Sequence, residues 1–269
     1  MNKHISFIGG GNMASAIING LISSNLASPA QITATARTPQ TLAALQERFD
    51  IDTTLDNAEA AKKADILFLA VKPYLFPEII PAIRNSISKD ALVISIAAGQ
   101  TLSSIESLFG FPLALVRAMP NTPAMVGEAM SALCFHPQVS EEQRETAVTI
   151  FNSFGKCEVV TEGLMNTVIG VSGSSPAYVY MFIEAMADAA VADGMPRTQA
   201  YKFAAQSVLG SAKMVLETGM HPGVLKDAVC SPGGTTIEAV AALEQQGMRS
   251  AIITAQRACV QKASDMCKS

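Results

Sequence analysis

Two stretches of this chain have the composition and spacing of anion-binding turns. Near the amino terminus, Gly9-Gly10-Gly11-Asn12-Met13-Ala14 spells G-x-G-x-x-A. It follows the short apolar run Ile5–Ile8 and opens an apolar helical stretch, the context in which such a loop cradles a pyrophosphate. Gly9 permits the tight turn, Gly11 lets backbone approach the phosphates, and Ala14 allows helix and strand to pack closely. Asn12 and Met13 begin the helix, whose free N–H groups and positive dipole face the anion. Near the other end, Ser231-Pro232-Gly233-Gly234-Thr235-Thr236 places the backbone N–H groups of Gly234, Thr235 and Thr236 at a helix start. Such a run forms a nest for a carboxylate, and the hydroxyls of Ser231 and Thr236 add donors. The plain alternative for the second stretch is an ordinary N-cap after a flexible turn.

The residue at the end of the second strand selects the dinucleotide. An NAD site places Asp or Glu there to hold the ribose 2′-hydroxyl. Thr35-Ala36-Arg37-Thr38-Pro39 offers a cation and a hydroxyl instead, which favours NADPH, with NADH as the second choice. A solvated surface arginine is the alternative for Arg37. Ala70-Val71-Lys72-Pro73 and Ala97-Ala98-Gly99 follow later strands, and ligands of doubly wound sheets lie beyond strand carboxyl ends. Lys72 is otherwise a loop charge. Met119-Pro120-Asn121-Thr122-Pro123 ends a further strand and is placed to line a nicotinamide pocket.

The reaction is narrowed by residues that do not occur. There is no Tyr-x-x-x-Lys, the base of short-chain dehydrogenases. Hydroxy-acid dehydrogenases with a helical second half carry G-x-G-x-x-x-K, and Gly173-Ser174-Ser175-Pro176-Ala177-Tyr178-Val179 has valine in place of that lysine. Carbonyl reduction needs a proton donor for the developing alkoxide. An imine can be protonated before hydride arrives, so it mainly requires orientation and an anchor. Cys230 beside the anchor reads as a packing residue, and His221 before a proline as a turn residue. His4, His136 and His221 begin no metal-ligand motif, so no metal is expected.

Taken together, Gly9–Met13, Ala70–Pro73, Arg117-Ala118-Met119-Pro120-Asn121-Thr122-Pro123, Gly173–Tyr178 and Ser231–Thr236 resemble the pyrroline-5-carboxylate reductase family across the whole chain. The resemblance implies reduction of 1-pyrroline-5-carboxylate to L-proline, a Rossmann domain, a helical dimerisation domain, and homodimers that assemble into rings. It also implies site roles. Thr38 and Asn57 match contacts to the adenosine end of the cofactor, Val71 and Lys72 the cofactor loop, and Ala97 and Pro176 the nicotinamide side. Ser231, Gly234, Thr235 and Thr236 match the carboxylate loop, with the Thr236 hydroxyl also reaching the ring nitrogen. Glu162 matches a substrate-side acid. Some members place an acid before the His-Pro-Gly turn, where this chain has Gly219. The competing readings are a hydroxy-acid-type NADP dehydrogenase of the same plan and a non-catalytic NADP-binding redox sensor.

The elements that must position these residues fall into two halves. Strands are expected at Ile5–Ile8, Ile32–Ala36, Ile51–Thr53, Ile66–Val71, Leu92–Ile96 and Leu113–Met119. Helices alternate with them near Met13–Leu26, Pro39–Phe49, Asn57–Ala64, Leu75–Ile87 and Leu102–Leu108, with N-caps at Thr38 and Thr101. Ala129–Phe135 is expected as an edge strand, Ser140–Phe154 as a helix with a Ser140/Gln143 capping box, and Glu158–Thr161 as a last strand. This alternation predicts an α/β, Rossmann-type doubly wound parallel sheet. Beyond residue 162 only helices are expected: Leu164–Val171, Ala177–Ala192, Thr198–Leu216, Thr236–Gln245 and Ser250–Met266. The domains are therefore read as 1–162 and 163–269.

Composition sets the remaining bounds. Charged residues make up only 16 % of the 269, against 49 % hydrophobic. About 25 % charged is usual, so apolar surface is expected to be covered by a second subunit. Ala177–Val191 is apolar on too much of its circumference for a surface helix and is the expected contact of an obligate homodimer. A net charge of −4 without any Lys/Arg run excludes a nucleic-acid partner. The five cysteines are scattered, as reduced cytosolic thiols are. The apolar run after Lys3 is split by the glycines, so it does not read as a signal peptide. Ala177–Met195 carries Glu184, Asp188 and Asp193 and does not suit a membrane span. A cytoplasmic protein is expected.

Overall fold

Each short run rich in Ile, Val and Leu forms a strand buried on both sides, and each amphipathic stretch between them returns the chain for a parallel partner. The computed structural model describes residues 1–267. Its sheet has eight strands: β1 Ile5–Ile8, β2 Ile32–Thr35, β3 Asp52–Thr54, β4 Ile66–Leu69, β5 Leu92–Ser95, β6 Ala114–Met119, β7 Ala129–Phe135 and β8 Gly155–Val159. Their order is β3-β2-β1-β4-β5-β6-β7-β8. All neighbours are parallel except β6 and β7. The order reverses between β1 and β4, which makes the carboxyl ends of these strands the topological switch point.

Helices cover both faces. On one lie α1 (Asn12–Ser23), α2 (Pro39–Phe49) and α6 (Glu141–Asn152), contributing Ile17, Leu21, Leu45, Ile150 and Phe151 to a core that includes Phe7 and Phe68. The Phe7 and Phe68 rings stack at 4.6 Å. On the other lie α3 (Asn57–Lys63), α4 (Phe76–Ile83) and α5 (Leu102–Phe109), which bury Ala60, Phe76, Ile80 and Ile105 against Leu67, Leu69 and Leu115. The expected caps form: Thr38 accepts from the Thr41 N–H, Thr101 from that of Ser104, and Ser140 and Gln143 complete a capping box.

Four sequence expectations need correction. Ala129–Phe135 is not an edge strand, because β8 pairs outside it with Gly155 beside Ala129. β8 itself begins and ends earlier than Glu158–Thr161. The single helix expected at Leu164–Val171 is a 3-10 turn at Glu162–Leu164, then α7 (Met165–Val168), then a π turn at Ile169–Gly173. A Cβ on Gly173 would come 2.9 Å from Met119 Cε, so the turn packs closely on the end of β6. The fourth is an unexpected helix, Pro222–Val229. Its start looks like a turn because Pro222-Gly223 usually breaks structure, but Pro suits the first helical position and His221 Nδ1 caps the Gly223 N–H at 3.0 Å.

The chain forms two compact units, Met1–Ser174 together with the chain from Cys259 onward, and Ser175–Ala258. In the first, Met165 and Ile169 are buried, and Ser264 meets the Asn166 side chain at 3.2 Å. The second holds α8 (Ser175–Ala192), α9 (Arg197–Thr218), α10 (Pro222–Val229), α11 (Thr235–Gln245) and most of α12 (Met248–Met266). Helices α8 and α9 pack on one another, and Ala187, Ala200 and Ala204 are their buried residues. No helix among the described residues is long and apolar enough to cross a membrane.

Candidate active site

In the first unit, the carboxyl ends of β1, β2, β4 and β5 surround a cleft of about 770 Å³. Its floor is the glycine turn. Gly9 has φ +104, and a Cβ there would meet Val71 Cγ1 at 2.7 Å. The Gly9 N–H donates to the Thr35 hydroxyl at 3.1 Å, fastening the turn to β2. At Gly10 a Cβ would press on Leu45 Cδ1 at 2.3 Å. Gly11 differs: it has φ −81, and its Cβ would meet nothing within 4 Å. The space beside Gly11 is open cleft, and no side chain caps the N-terminus of α1 there. Bare N–H groups, a positive helix end and room for close approach fit a pyrophosphate.

The sheet order distributes the other residues. Arg37 and Thr38, both exposed, lie in the cleft wall after β2. Beyond β1 on the opposite side come Ala70, Val71, Lys72 and Pro73 after β4, then Ala97 and Ala98 after β5, with Thr122 after β6. A dinucleotide across this cleft would have its adenosine end over β2 and its nicotinamide end over β4 and β5. Gly9, Gly11, Asn12 and Met13 thus share one cleft with Arg37, Thr38, Ala70–Pro73 and Ala97. Asn57, at the start of α3, is not among the lining residues.

Glu162, expected beside the substrate, is not among the residues lining this cleft. Its Oε1 accepts the Leu102 N–H at 2.8 Å and lies 3.2 Å from Nη1 of Arg117. The cleft also includes Thr41, Tyr74, Leu75, Ile96 and Met125, which the sequence reading passed over. Thr41 was detectable, because it is the residue whose N–H meets the Thr38 cap and whose hydroxyl lies 2.9 Å from that of Thr38. Tyr74, Leu75 and Met125 belong to 3-10 turns, which leave no periodic signature.

Pro176 and the second anion-binding stretch belong to the helical unit. Gly234 is the N-cap of α11 and supplies no capping side chain. Its own N–H donates to the Ser231 carbonyl oxygen at 3.0 Å. The turn is thereby closed, and the donors directed outward from the helix end are those of Thr235 and Thr236 rather than all three. Gly233, at φ +67, makes the reversal that brings Ser231 back towards Gly234. Val179, where a dehydrogenase lysine would stand, is exposed on α8. The same unit exposes Tyr180, Met181, Phe182, Phe203 and Leu216. Apolar side chains at this density mark a surface for association.

A cleft so lined at a switch point, followed by a helical unit, is the plan of a two-part nicotinamide-dependent oxidoreductase. Residues 4–99 match the model described as NADP oxidoreductase coenzyme F420-dependent, and residues 162–266 match pyrroline-5-carboxylate reductase dimerisation. The chain belongs to the pyrroline-5-carboxylate reductase family. It is 52 % identical to the pyrroline-5-carboxylate reductase of Escherichia coli (strain K12), with 100 % of both chains covered. Among solved structures, a pyrroline-5-carboxylate reductase from Coxiella burnetii is 37 % identical with a TM-score of 0.92, again covering 100 % of both chains. The Plasmodium falciparum pyrroline carboxylate reductase with NADP bound is 30 % identical, with a TM-score of 0.89 over 99 % of this chain and 98 % of that one. The dimerisation match covers the helices that expose the apolar side chains, so this region serves self-association.

Proposed function

We propose that the protein reduces L-1-pyrroline-5-carboxylate to L-proline with NAD(P)H, the final step of proline biosynthesis. The observation that carries this reading is the pairing, in one chain, of the Gly9–Met13 cleft with the Ser231–Thr236 helix start. The full-length 52 % identity with a reductase of that name favours it over the hydroxy-acid dehydrogenase and over a non-catalytic sensor.

A nicotinamide bound in the cleft would supply a hydride to the carbon of the C=N bond. The chain's own residues then have two tasks. The Thr235 and Thr236 N–H groups, with the Ser231 hydroxyl, hold the substrate carboxylate and so set which face of the ring is presented. The Thr236 hydroxyl lies one residue into the helix and reaches the ring nitrogen, which carries the proton. No Lys or His acid is required, because the iminium is charged before reduction and becomes a neutral amine on receiving hydride. Val179 is consistent with that requirement.

Gly9, Gly11, Asn12 and Met13 would hold the pyrophosphate, Arg37 and Thr38 a 2′-phosphate, and Ala70–Pro73 and Ala97 the nicotinamide half. Asn57 is assigned the adenosine end and Pro176 the nicotinamide side by family likeness alone. Arg37 makes NADPH the preferred cofactor over NADH, since a guanidinium pairs a phosphate bidentately. The functional division is taken at residue 162, where the dimerisation match begins. The assembly is a homodimer, extended to rings of dimers, in which each active site takes its carboxylate loop from the partner. A cytoplasmic location agrees with the five free thiols. Incubating the pure protein with pyrroline-5-carboxylate and NADPH, and identifying the product, tests the assignment. Proline formation is expected; oxidation of a 2-hydroxy acid without turnover of the imine would overturn it.

A further inference from the structure

A guanidinium cannot shed its charge, so burying one requires an acceptor of opposite sign. Arg117, on β6, is only 3 % exposed. Its Nη1 lies 3.2 Å from Oε1 of Glu162, and the same oxygen accepts the Leu102 N–H at 2.8 Å. Leu102 is the first residue of α5. A helix start presents free N–H groups and positive dipole, so a carboxylate there is held electrostatically as well as by its hydrogen bond. Immediately before Leu102 runs the turn Ile96-Ala97-Ala98-Gly99-Gln100-Thr101, and Ile96, Ala97 and Ala98 are cleft wall.

The segment that Glu162 opens makes a second tie to the same wall. Ser172, ten residues on, accepts through its carbonyl oxygen from the Asn121 side-chain amide at 3.0 Å. Asn121 Oδ1 in turn accepts the Met130 N–H at 2.9 Å. Asn121 is buried and precedes Thr122, another cleft residue. The stretch 162–172 therefore clamps both turns on the side of the cleft opposite Arg37 and Thr38, one through Glu162 and the other through Ser172.

We propose that Glu162, held by Arg117, is a positioning residue that fixes the nicotinamide-side wall of the cleft through the N-terminus of α5, and does not contact the substrate. This rests on the reading of the cleft as the NAD(P)H site. It replaces the substrate-side role that family likeness implied for Glu162. Loosening that wall leaves the pyrophosphate and adenosine contacts in place, so cofactor affinity should survive while hydride transfer suffers.

The test uses the full-length protein and three readouts: steady-state turnover, NADPH affinity by fluorescence titration, and the isotope effect on kcat with NADPH deuterated at the transferred position. Glu162→Ala is expected to lower kcat about tenfold or more, since small misplacements near the reacting atoms are costly. Its isotope effect should rise, with the NADPH Kd and the KM for pyrroline-5-carboxylate within about threefold of the parent values. Glu162→Gln, whose amide oxygen can still accept the Leu102 N–H, should recover most of the loss. If the alanine variant fails to fold because Arg117 is left unpaired, Glu162→Gln decides alone, with a partial fall in kcat and a raised isotope effect expected. Unchanged kcat in a folded variant would overturn the proposal. So would a raised KM for the imine at constant kcat, which marks a substrate contact, or a loss of activity that only tracks the folded fraction. Should the parent protein not reduce the imine, the functional reading fails separately. The positioning claim is then decided by the fluorescence lifetime of bound NADPH, which should differ in the variants at similar Kd; an unaltered lifetime would overturn it.

Discussion

At the scale of single residues, the three glycines of the amino-terminal turn have different work. Gly9 is required by the protein itself, through a φ of +104 and the nearness of Val71 and Ala70, and a side chain at Gly10 would have to displace Leu45. Gly11 is required only by what the cleft receives. Gly11→Ala is therefore expected to fold with an unchanged Tm while NADPH affinity falls at least about tenfold, because the added methyl displaces backbone from the pyrophosphate. A calorimetric Tm beside a fluorescence titration checks this; tight NADPH binding by the variant would remove Gly11 from the phosphate site. Thr236→Ala should reduce kcat/KM more than it weakens NADPH binding. A hydrogen bond to a charged group is worth about 1.5–3 kcal/mol, or roughly tenfold to a hundredfold in rate. Steady-state kinetics with both substrates varied would show it. Arg37→Asp should narrow or reverse the preference for NADPH over NADH, read from the ratio of the two kcat/KM values. An unaltered ratio makes Arg37 a surface charge. The positions of single residues are legible in the sequence only in part. Gly9, Gly11, Arg37 and Thr38 were legible because fixed spacing from a strand end dictates their position. The Arg117–Glu162 pair was not, since 45 residues separate its members and only the folded sheet brings them together.

Elements with one clear period were legible almost to the residue. β1 and α2 match their expected bounds, because a short run buried at every position and closed by glycines, and a Thr38-Pro39 start, leave little choice. Where the chain is tightened or widened locally, the pattern vanishes. The 3-10 and π turns around α7 were read as one helix, since their apolar residues still recur at about helical spacing. The inward position of β7 was also hidden. An antiparallel strand and its outer parallel partner have no separate signature in a single sequence. The placement of α1 shows why such packing matters to function. Its N-terminus points at the cleft only if the helix lies close on the sheet, and Gly20 permits this: a Cβ there would come 2.6 Å from Phe154 Cβ. Gly20→Ala should therefore destabilise the protein by about 1–3 kcal/mol through overpacking. Thermal unfolding would register that as a Tm lower by several degrees. An unchanged Tm would mean that Phe154 yields without cost.

For the molecule as a whole, the exposed apolar surface is the feature that a single chain does not explain. Helix α8 buries Ala187 but leaves Met181 70 % and Tyr180 60 % exposed, and Leu216 on α9 is 83 % exposed. The sequence pointed to this through the all-round apolar character of Ala177–Val191, although it could not say which side faces its own unit. A helical unit of this size has little interior in which to hide such a helix. Covering these residues with a second copy is the arrangement that the dimerisation match supports. Sedimentation should consequently find no folded monomer at micromolar concentration, and a stable, active monomer would end the proposal. The division of each active site between protomers is a separate claim with its own measurement. Gly11→Ala impairs the cofactor cleft and Thr236→Ala the carboxylate loop, so at limiting NADPH and imine homodimers of either variant should keep about a tenth or less of the parental activity. In a mixed dimer with sites built across the interface, one site would collect both lesions and the other neither. Refolding the two variants together in equal amounts should then restore about a quarter of the parental activity, since half the dimers are mixed and each has one intact site. If sites are built within one chain, every site in the mixture carries a lesion and no activity returns. Dimers without complementation would thus leave the interface standing and return the loop to its own subunit.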